Sequence, residues 1–202
     1  MRIVVSGHNG FVGKHLLRSI KLHYPKYKLV TLEKEDFKTQ NFNGKIEKSD
    51  LIFHLAGVNR AKSENDVYKK NKKLNSELLN QLIKLKFSGI LFFSSTLQED
   101  RDTLYGKSKK EARVEFEKAS KVLGFNFYYQ KIPNIFGPFC KPNYNSFIAT
   151  FSDKLIKNEK PKIVEDNNVL LIYIDDLIHS ILRLLEGQSP NYNKEVLREI
   201  KV

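Results

Sequence analysis

The sequence contains one cysteine, Cys140, which excludes an internal disulfide framework and suits a reducing cytoplasm. No apolar run approaches the length that a membrane span needs, so a membrane partner is not expected. Nor is a secretory leader: Arg2 is followed at once by a strand pattern, not by an apolar stretch and a cleavage site. His, Cys, Asp and Glu never recur at metal-ligand spacing. With no internal repeat and no low-complexity linker, the 202 residues read as one domain, 1–202, long enough to bury a full core.

Acidic residues are in the minority, 23 against 35 Lys and Arg, for a net charge of +12. The excess does not point to nucleic acid. The lysines are scattered over many helix faces, no tract is interleaved with aromatic stacking platforms, and an anionic small-molecule substrate would gain from the same field.

The most informative stretch is the start of the chain. Arg2 to Ser6 is a β-branched run that reads as a buried strand, followed by Gly7, Gly10 and Gly13 and then a helix-periodic segment, Phe11 to Tyr24, ended by Pro25. A strand, a glycine turn and a helix start form a seat for a pyrophosphate, because backbone N–H groups and the positive helix end face the same point. Lys28 to Leu32 reads as the second strand. At its end stand Glu33, which could accept from ribose hydroxyls, and Lys34, which could meet a 2′-phosphate; the two leave the cofactor's phosphate status open.

Further along, Asp36 to Ser49 is polar, a short helix or loop. Asp50 to His54 is a strand ending in Leu55-Ala56-Gly57, small residues that permit close approach of a ligand. Glu64 to Lys86 is the longest helical pattern, and Asn71 falls on its apolar stripe, as either a satisfied buried amide or a site residue. Strands are expected at Gly89 to Ser95, Phe125 to Ile132 and Val169 to Ile174. Helices are expected at Tyr105 to Leu123, Ser146 to Lys157 and Asp175 to Leu185. Strands alternating with helices indicate an α/β fold, a Rossmann-like doubly wound parallel sheet flanked by helices.

Tyr105 and Lys109 are four apart on one of these helices and share a face. An ammonium beside a phenol favours the phenolate, which brings tyrosine toward acid–base work near neutral pH. Thr96, at a strand end nine residues earlier, could hold a carbonyl or alcohol oxygen beside it.

Gly7-x-x-Gly10-x-x-Gly13, the Leu55-Ala56-Gly57 edge, Thr96 and Tyr105-Gly106-Lys107-Ser108-Lys109 together resemble the extended short-chain dehydrogenase/reductases, in the branch of nucleotide-sugar epimerases, dehydratases and reductases. The resemblance runs from Met1 to about Gly187. His54 to Arg60, Pro133-Asn134-Ile135-Phe136-Gly137 and Cys140 to Ser146 look like the capsular-polysaccharide reductases of UDP-N-acetyl-L-fucosamine synthesis.

That resemblance implies NADP(H), with NAD(H) as the alternative, and a UDP-linked 4-keto-6-deoxy-N-acetylhexosamine as substrate. It also implies a cytoplasmic homodimer joined through the two long helices. Tyr105 would be the general acid, Lys109 the ribose-binding base partner and Thr96 the carbonyl holder. Gly7, Asn9, Gly10, Phe11, Val12, Glu33, Lys34, Leu55, Ala56, Gly57, Asn71, Lys109 and Pro133 would hold the cofactor. Asn59, Arg60, Asn134, Lys141, Asn143, Tyr144 and Asn145 would hold the sugar nucleotide, although the last four could instead form an ordinary polar loop. Hydride transfer needs no covalent intermediate, so Cys140 reads as a packing residue. Relatives commonly add a cupin-type domain that this sequence does not show. Its tail, Ser189 to Val202, does not resemble them, which implies a shortened substrate lobe within 133–202. Two alternatives remain: an epimerase or dehydratase of the same fold, and a nucleotide-binding protein without turnover. The dehydratase is disfavoured because Leu97-Gln98 offers no acid after Thr96.

Overall fold

The computed structural model describes residues 1–39, 41–163, 167–192 and 194–201. Gln40, in the polar stretch before the third strand, and Asn193 and Val202, in the tail, lie outside the described residues. By its internal contacts the chain divides into two compact units, Met1–Lys131 and Ile132–Val202.

The first unit carries the sheet β2-β1-β3-β4-β5, made of β1 (Arg2–Ser6), β2 (Lys28–Leu32), β3 (Leu51–His54), β4 (Ile90–Thr96) and β5 (Asn126–Ile132). β1 runs parallel to β2 and β3, and β3 parallel to β4. Its central strands are buried on both faces, which is why they read as unbroken apolar runs. Val4, Ile52, Leu91 and Phe93 point into one core with Phe42 and Ile46. The alternate residues Phe53 and Phe92 meet edge to face, 5.8 Å between centroids, on the other side.

Four helices belong to this unit: α1 (Phe11–His23), α2 (Asn41–Ile46), α3 (Glu64–Lys84) and α4 (Leu104–Leu123). α1 buries Gly13, Leu16 and Ile20, a spacing of one helical face, and closes where the Tyr24 N–H reaches the Ile20 carbonyl before Pro25. α3 starts on the Ser63 hydroxyl, which accepts from the Asp66 N–H, and α4 on Thr103, which accepts from Gly106. Gly124, at φ 80°, ends α4 in the left-handed conformation. α3 and α4 lie side by side, bridged by Glu111, which accepts from the Tyr68 hydroxyl at 2.8 Å and from Lys72 at 3.1 Å. The polar stretch after β2 resolves into a 3-10 turn at Asp36–Lys38 and then α2.

The second unit carries β6 (Asn134–Phe136), α5 (Phe147–Ile156), β7 (Asn168–Tyr173), α6 (Ile174–Leu182) and β8 (Leu197–Lys201). β6 pairs parallel with β7, but β8 pairs antiparallel. The doubly wound parallel sheet expected from the sequence is the five-stranded one, and the antiparallel β8 belongs to the separate three-stranded sheet. Two strands are unforeseen: β6 has three residues, and β8 reads Leu-Arg-Glu-Ile-Lys, whose charges mask the strand pattern. α6 buries Ile174, Leu177, Ile178 and Ile181 and tightens at Arg183–Glu186 into a 3-10 turn that ends on Gly187, φ 72°. Among the described residues no helix is long and apolar enough to cross a membrane.

Candidate active site

The glycine turn owes its shape to contacts with its neighbours. Gly7 has φ +71°, and a Cβ there would stand 2.6 Å from the Ala56 nitrogen and 2.7 Å from the Leu55 carbonyl carbon. A Cβ on Gly13 would stand 2.3 Å from the Gly7 carbonyl oxygen. The turn is thus pressed against both the Leu55–Gly57 edge and the first turn of α1. The Gly10 N–H bonds back to the Gly7 carbonyl at 2.9 Å. α1 begins at Gly10 with no side-chain cap and no acid in its first turn, so its positive end is open to an anion. Phe11 and Val12 are half-buried on that turn, while Asn9 is exposed.

Glu33 is engaged. His8, on the glycine turn, places its Nε2 3.0 Å from Glu33 Oε1, the two side chains being 11% and 46% exposed. Asp36 accepts from the Glu33 N–H at 2.7 Å and from Lys45 Nζ at 2.6 Å. Burial pushes the Asp36 carboxyl up, but these two hydrogen bonds outweigh it and hold the group below its usual range. Lys34 is exposed.

Asn71 is a buried amide that closes a two-bond ring with the backbone of Val58: its Nδ2 donates to the Val58 carbonyl and its Oδ1 accepts from the Val58 N–H, each at 2.8 Å. The loop after β3 is thereby pinned to α3. Over this loop the site closes up: a Cβ on Gly57 would lie 3.6 Å from Asn71 Oδ1 and 3.8 Å from Lys109 Nζ. The glycine turn, the strand edge, Asn71 and Lys109, far apart in sequence, therefore adjoin one another. Asn59 and Arg60, further along the same loop, are exposed.

Lys109 is 3% exposed, with its Nζ 4.2 Å from the centroid of the Phe93 ring. Burial draws its pKa down to about 7, against the opposing pull of the Glu99 carboxylate. The face of Phe93 adds to that opposing pull by attracting the ammonium form. Tyr105 lies one helical turn earlier, half-buried. What fixes both relative to Thr96 is Gly106: a Cβ there would fall 1.9 Å from the Gln98 carbonyl oxygen, so α4 begins in backbone contact with the turn that follows β4. Thr96 itself, 9% exposed, accepts from the Gln98 N–H at 3.2 Å.

Glu99 was not foreseen from the sequence. Its fully buried carboxylate accepts from Arg113 Nε at 2.9 and 3.2 Å and from the Ser95 hydroxyl, and Arg113 lies over the Tyr129 ring. Its only sequence signal is an acid and an arginine in neighbouring elements, which many surface pairs share. His54, fully buried, is also newly informative. Its Nδ1 lies 2.6 Å from Ser6 Oγ and its Nε2 2.9 Å from Asn75 Oδ1, and burial draws its pKa down to about 3.

In the second unit Pro133 is buried and Asn134 exposed. Lys141, Asn143, Tyr144 and Asn145 lie on an exposed loop that leads into α5. Asn143, at φ 54°, donates its N–H to Thr150 Oγ1 at 2.9 Å, and Lys141 Nζ stands 5.9 Å from the Tyr144 ring. Behind the loop is a groove of about 380 Å³ lined by Phe136, Cys140, Pro142, Ile148, Ser152 and Ile156. No group of three or more His, Cys, Asp or Glu placed to hold a metal occurs among the described residues.

Residues 3–196 match the NAD dependent epimerase/dehydratase family. The chain belongs to this family. Over 192 residues it is 30% identical to the UDP-2-acetamido-2,6-beta-L-arabino-hexul-4-ose reductase of Pseudomonas aeruginosa, covering 95% of this chain and 51% of that protein. The fold superposes with a TM-score of 0.81 and 29% identity on the capsular polysaccharide assembling protein CapF from Staphylococcus aureus, covering 100% of this chain and 55% of that one. It also superposes on the UDP-glucose 4-epimerase of Thermotoga maritima, TM-score 0.78 at 20% identity, covering 92% of this chain and 74% of that one; this shows a shared fold alone. The chain spans about half the length of the curated relative it matches. For an epimerase/dehydratase family member the residues present fit a nicotinamide dinucleotide. The uncapped start of α1 could receive a pyrophosphate, and the Asn71 amide and the buried Lys109 amine stand on either side of the side-chain-free Gly57, where a ribose could approach.

Proposed function

We propose that this chain is an NADPH-dependent reductase of a UDP-linked 4-keto-6-deoxy-N-acetylhexosamine. It would act in the cytoplasm, in the synthesis of capsule or O-antigen precursors, as a homodimer paired through α3 and α4. The observation that carries the reading is the α4 start. Tyr105 and the buried Lys109 share one face, Gly106 locks that face to the Thr96 turn, and the ammonium lies beside Gly57 and Asn71.

A bound nicotinamide would supply the hydride that C4 of the sugar accepts. Tyr105 gives its phenolic proton to the C4 oxygen, so ketone, hydride and proton together make the secondary alcohol. Lys109 stabilises the phenolate that remains and holds a ribose hydroxyl. Thr96 donates to the ketone oxygen and orients it toward Tyr105. Gly7, Asn9, Gly10, Phe11 and Val12 seat the pyrophosphate, and Leu55, Ala56, Gly57, Asn71 and Pro133 bound the rest of the dinucleotide. Asn59, Arg60, Asn134, Lys141, Asn143, Tyr144 and Asn145 hold the UDP-sugar, with Lys141 and Arg60 as cations for its phosphates.

NADPH is favoured because Glu33 is turned to His8 while Lys34 stays exposed for a 2′-phosphate. The similarity to the Pseudomonas reductase supports the substrate class. A dehydratase is disfavoured because Glu99, the nearest acid after Thr96, is committed to Arg113 and Ser95.

Incubating the chain with a UDP-4-keto-6-deoxy-N-acetylhexosamine and either NADPH or NADH tests this reading. The expected result is the reduced sugar by mass spectrometry, formed faster with NADPH. A dehydrated or epimerised sugar without net cofactor consumption would overturn it.

A further inference from the structure

Two asparagines one turn apart on the buried stripe of α3 grip the chain on either side of Leu55–Gly57. Asn71 holds Val58, and Asn75 holds His54. The second grip continues through His54. Asn75 Oδ1 can only accept, so the His54 Nε2 at 2.9 Å carries the proton and Nδ1 is the bare acceptor. The Ser6 hydroxyl, 2.6 Å away, therefore donates to Nδ1, and its oxygen remains to accept the Ala56 N–H at 3.3 Å. Every member but the Ala56 amide is buried: Ser6 and His54 are 0% and Asn75 3% exposed.

The end point matters, because the Ala56 nitrogen is the atom against which Gly7 packs. Ser6 directly precedes Gly7, so its hydroxyl ties the glycine turn to the strand edge one residue beyond the last backbone bond, from the Leu55 N–H to the Ser6 carbonyl at 3.2 Å.

We propose that Ser6, His54 and Asn75 form a positioning relay that fixes the Ala56 amide against the glycine turn and so sets the affinity for the nicotinamide dinucleotide without touching it. This rests on the reading that the glycine turn and the Leu55–Gly57 edge hold that cofactor. The relay keeps one tautomer, because burial leaves His54 neutral across the working pH range. None of the three side chains need meet the ligand; they act through Ala56 and Gly7.

The test uses the full chain with Ser6→Ala, Ser6→Thr and Asn75→Leu. NADPH and NADH are titrated directly by fluorescence, thermal melting is followed by circular dichroism, and kcat and the cofactor KM are measured. Ser6→Ala is expected to raise the dissociation constant about tenfold, the scale of one lost hydrogen bond, with more of the effect in cofactor KM than in kcat. Ser6→Thr keeps the hydroxyl and should recover most of the affinity. Asn75→Leu frees the imidazole tautomer and should weaken binding in the same direction; it decides the matter if Ser6→Ala does not fold. A folded Ser6→Ala or Asn75→Leu chain with wild-type cofactor affinity would overturn the relay. So would a loss shared equally by kcat and KM and not recovered by Ser6→Thr. A wild-type chain that binds neither cofactor would instead overturn the reading of the site.

Discussion

Lys109 is held where a cation is costly. The residue is 3% exposed, and burial lowers its pKa from 10.5 to about 7. Between those two values the unfolded chain binds a proton that the folded chain does not. The residue therefore opposes folding most at and below pH 7, and the penalty vanishes as pH rises through 10.5. Lys109→Met is accordingly expected to raise stability near pH 7 by on the order of 1–3 kcal/mol, with the gain shrinking toward pH 10, while turnover is lost. Denaturant titrations at the two pH values check this; a destabilised variant at pH 7 would contradict it. Lys109 was legible in the sequence because its partner Tyr105 is one helical turn away. The relay through His54 was not: Ser6 and His54 lie 48 residues apart and His54 and Asn75 21 apart. A serine, a histidine and an asparagine at such distances carry no pattern until the sheet brings β1 and β3 together. The His8 contact with Glu33 was hidden for the same reason. Asn71 stood out only as a polar interruption of an apolar stripe, and Asn75 on the same stripe was overlooked.

At the scale of elements, α4 shows how a helix start becomes a piece of the site. Alanine is the better helix former by about 1 kcal/mol, so helix propensity alone would make Gly106→Ala stabilising. The sign is reversed by the Gln98 backbone, which a Cβ would meet at 1.9 Å for the oxygen and 2.7 Å for the carbon. Neither atom can move without shifting the turn after Thr96. Gly106→Ala should therefore lower stability by about 1–3 kcal/mol and kcat by tenfold or more, with helix content by circular dichroism unchanged. A more stable, fully active variant would show that the contact is not needed. The glycine between Tyr105 and Lys109 was legible as part of a motif, but its reason was not, since the clash is with an element outside the helix. Elsewhere the helices and central strands followed from 3.6-residue periodicity, caps and unbroken apolar runs. α1, α3 and α4 end within one or two residues of expectation. What escaped were β6, only three residues long, and β8, whose pairing with β7 makes a strand of a charge-rich segment.

For the whole molecule, the division at Lys131 separates the unit that carries the glycine turn, Asn71, Thr96, Tyr105 and Lys109 from the unit that carries Pro133, Asn134 and the Lys141–Asn145 loop. The first holds the residues proposed for the dinucleotide apart from Pro133, and the second holds those proposed for the sugar nucleotide apart from Asn59 and Arg60. The family to which the chain belongs was legible in full, because its signature residues are local motifs in fixed order. The reaction is not fixed by those motifs alone, since reductases and epimerases share them, and the chain spans about half of the curated relative. The most direct test is therefore consumption of NADPH by the purified chain in the presence of a UDP-4-keto-6-deoxy-N-acetylhexosamine, measured beside Tyr105→Phe. We expect oxidation that depends on the sugar, and a fall of a hundredfold or more in the variant with NADPH affinity retained. Oxidation that persists in Tyr105→Phe, or NADPH that binds and is never consumed, would contradict the account.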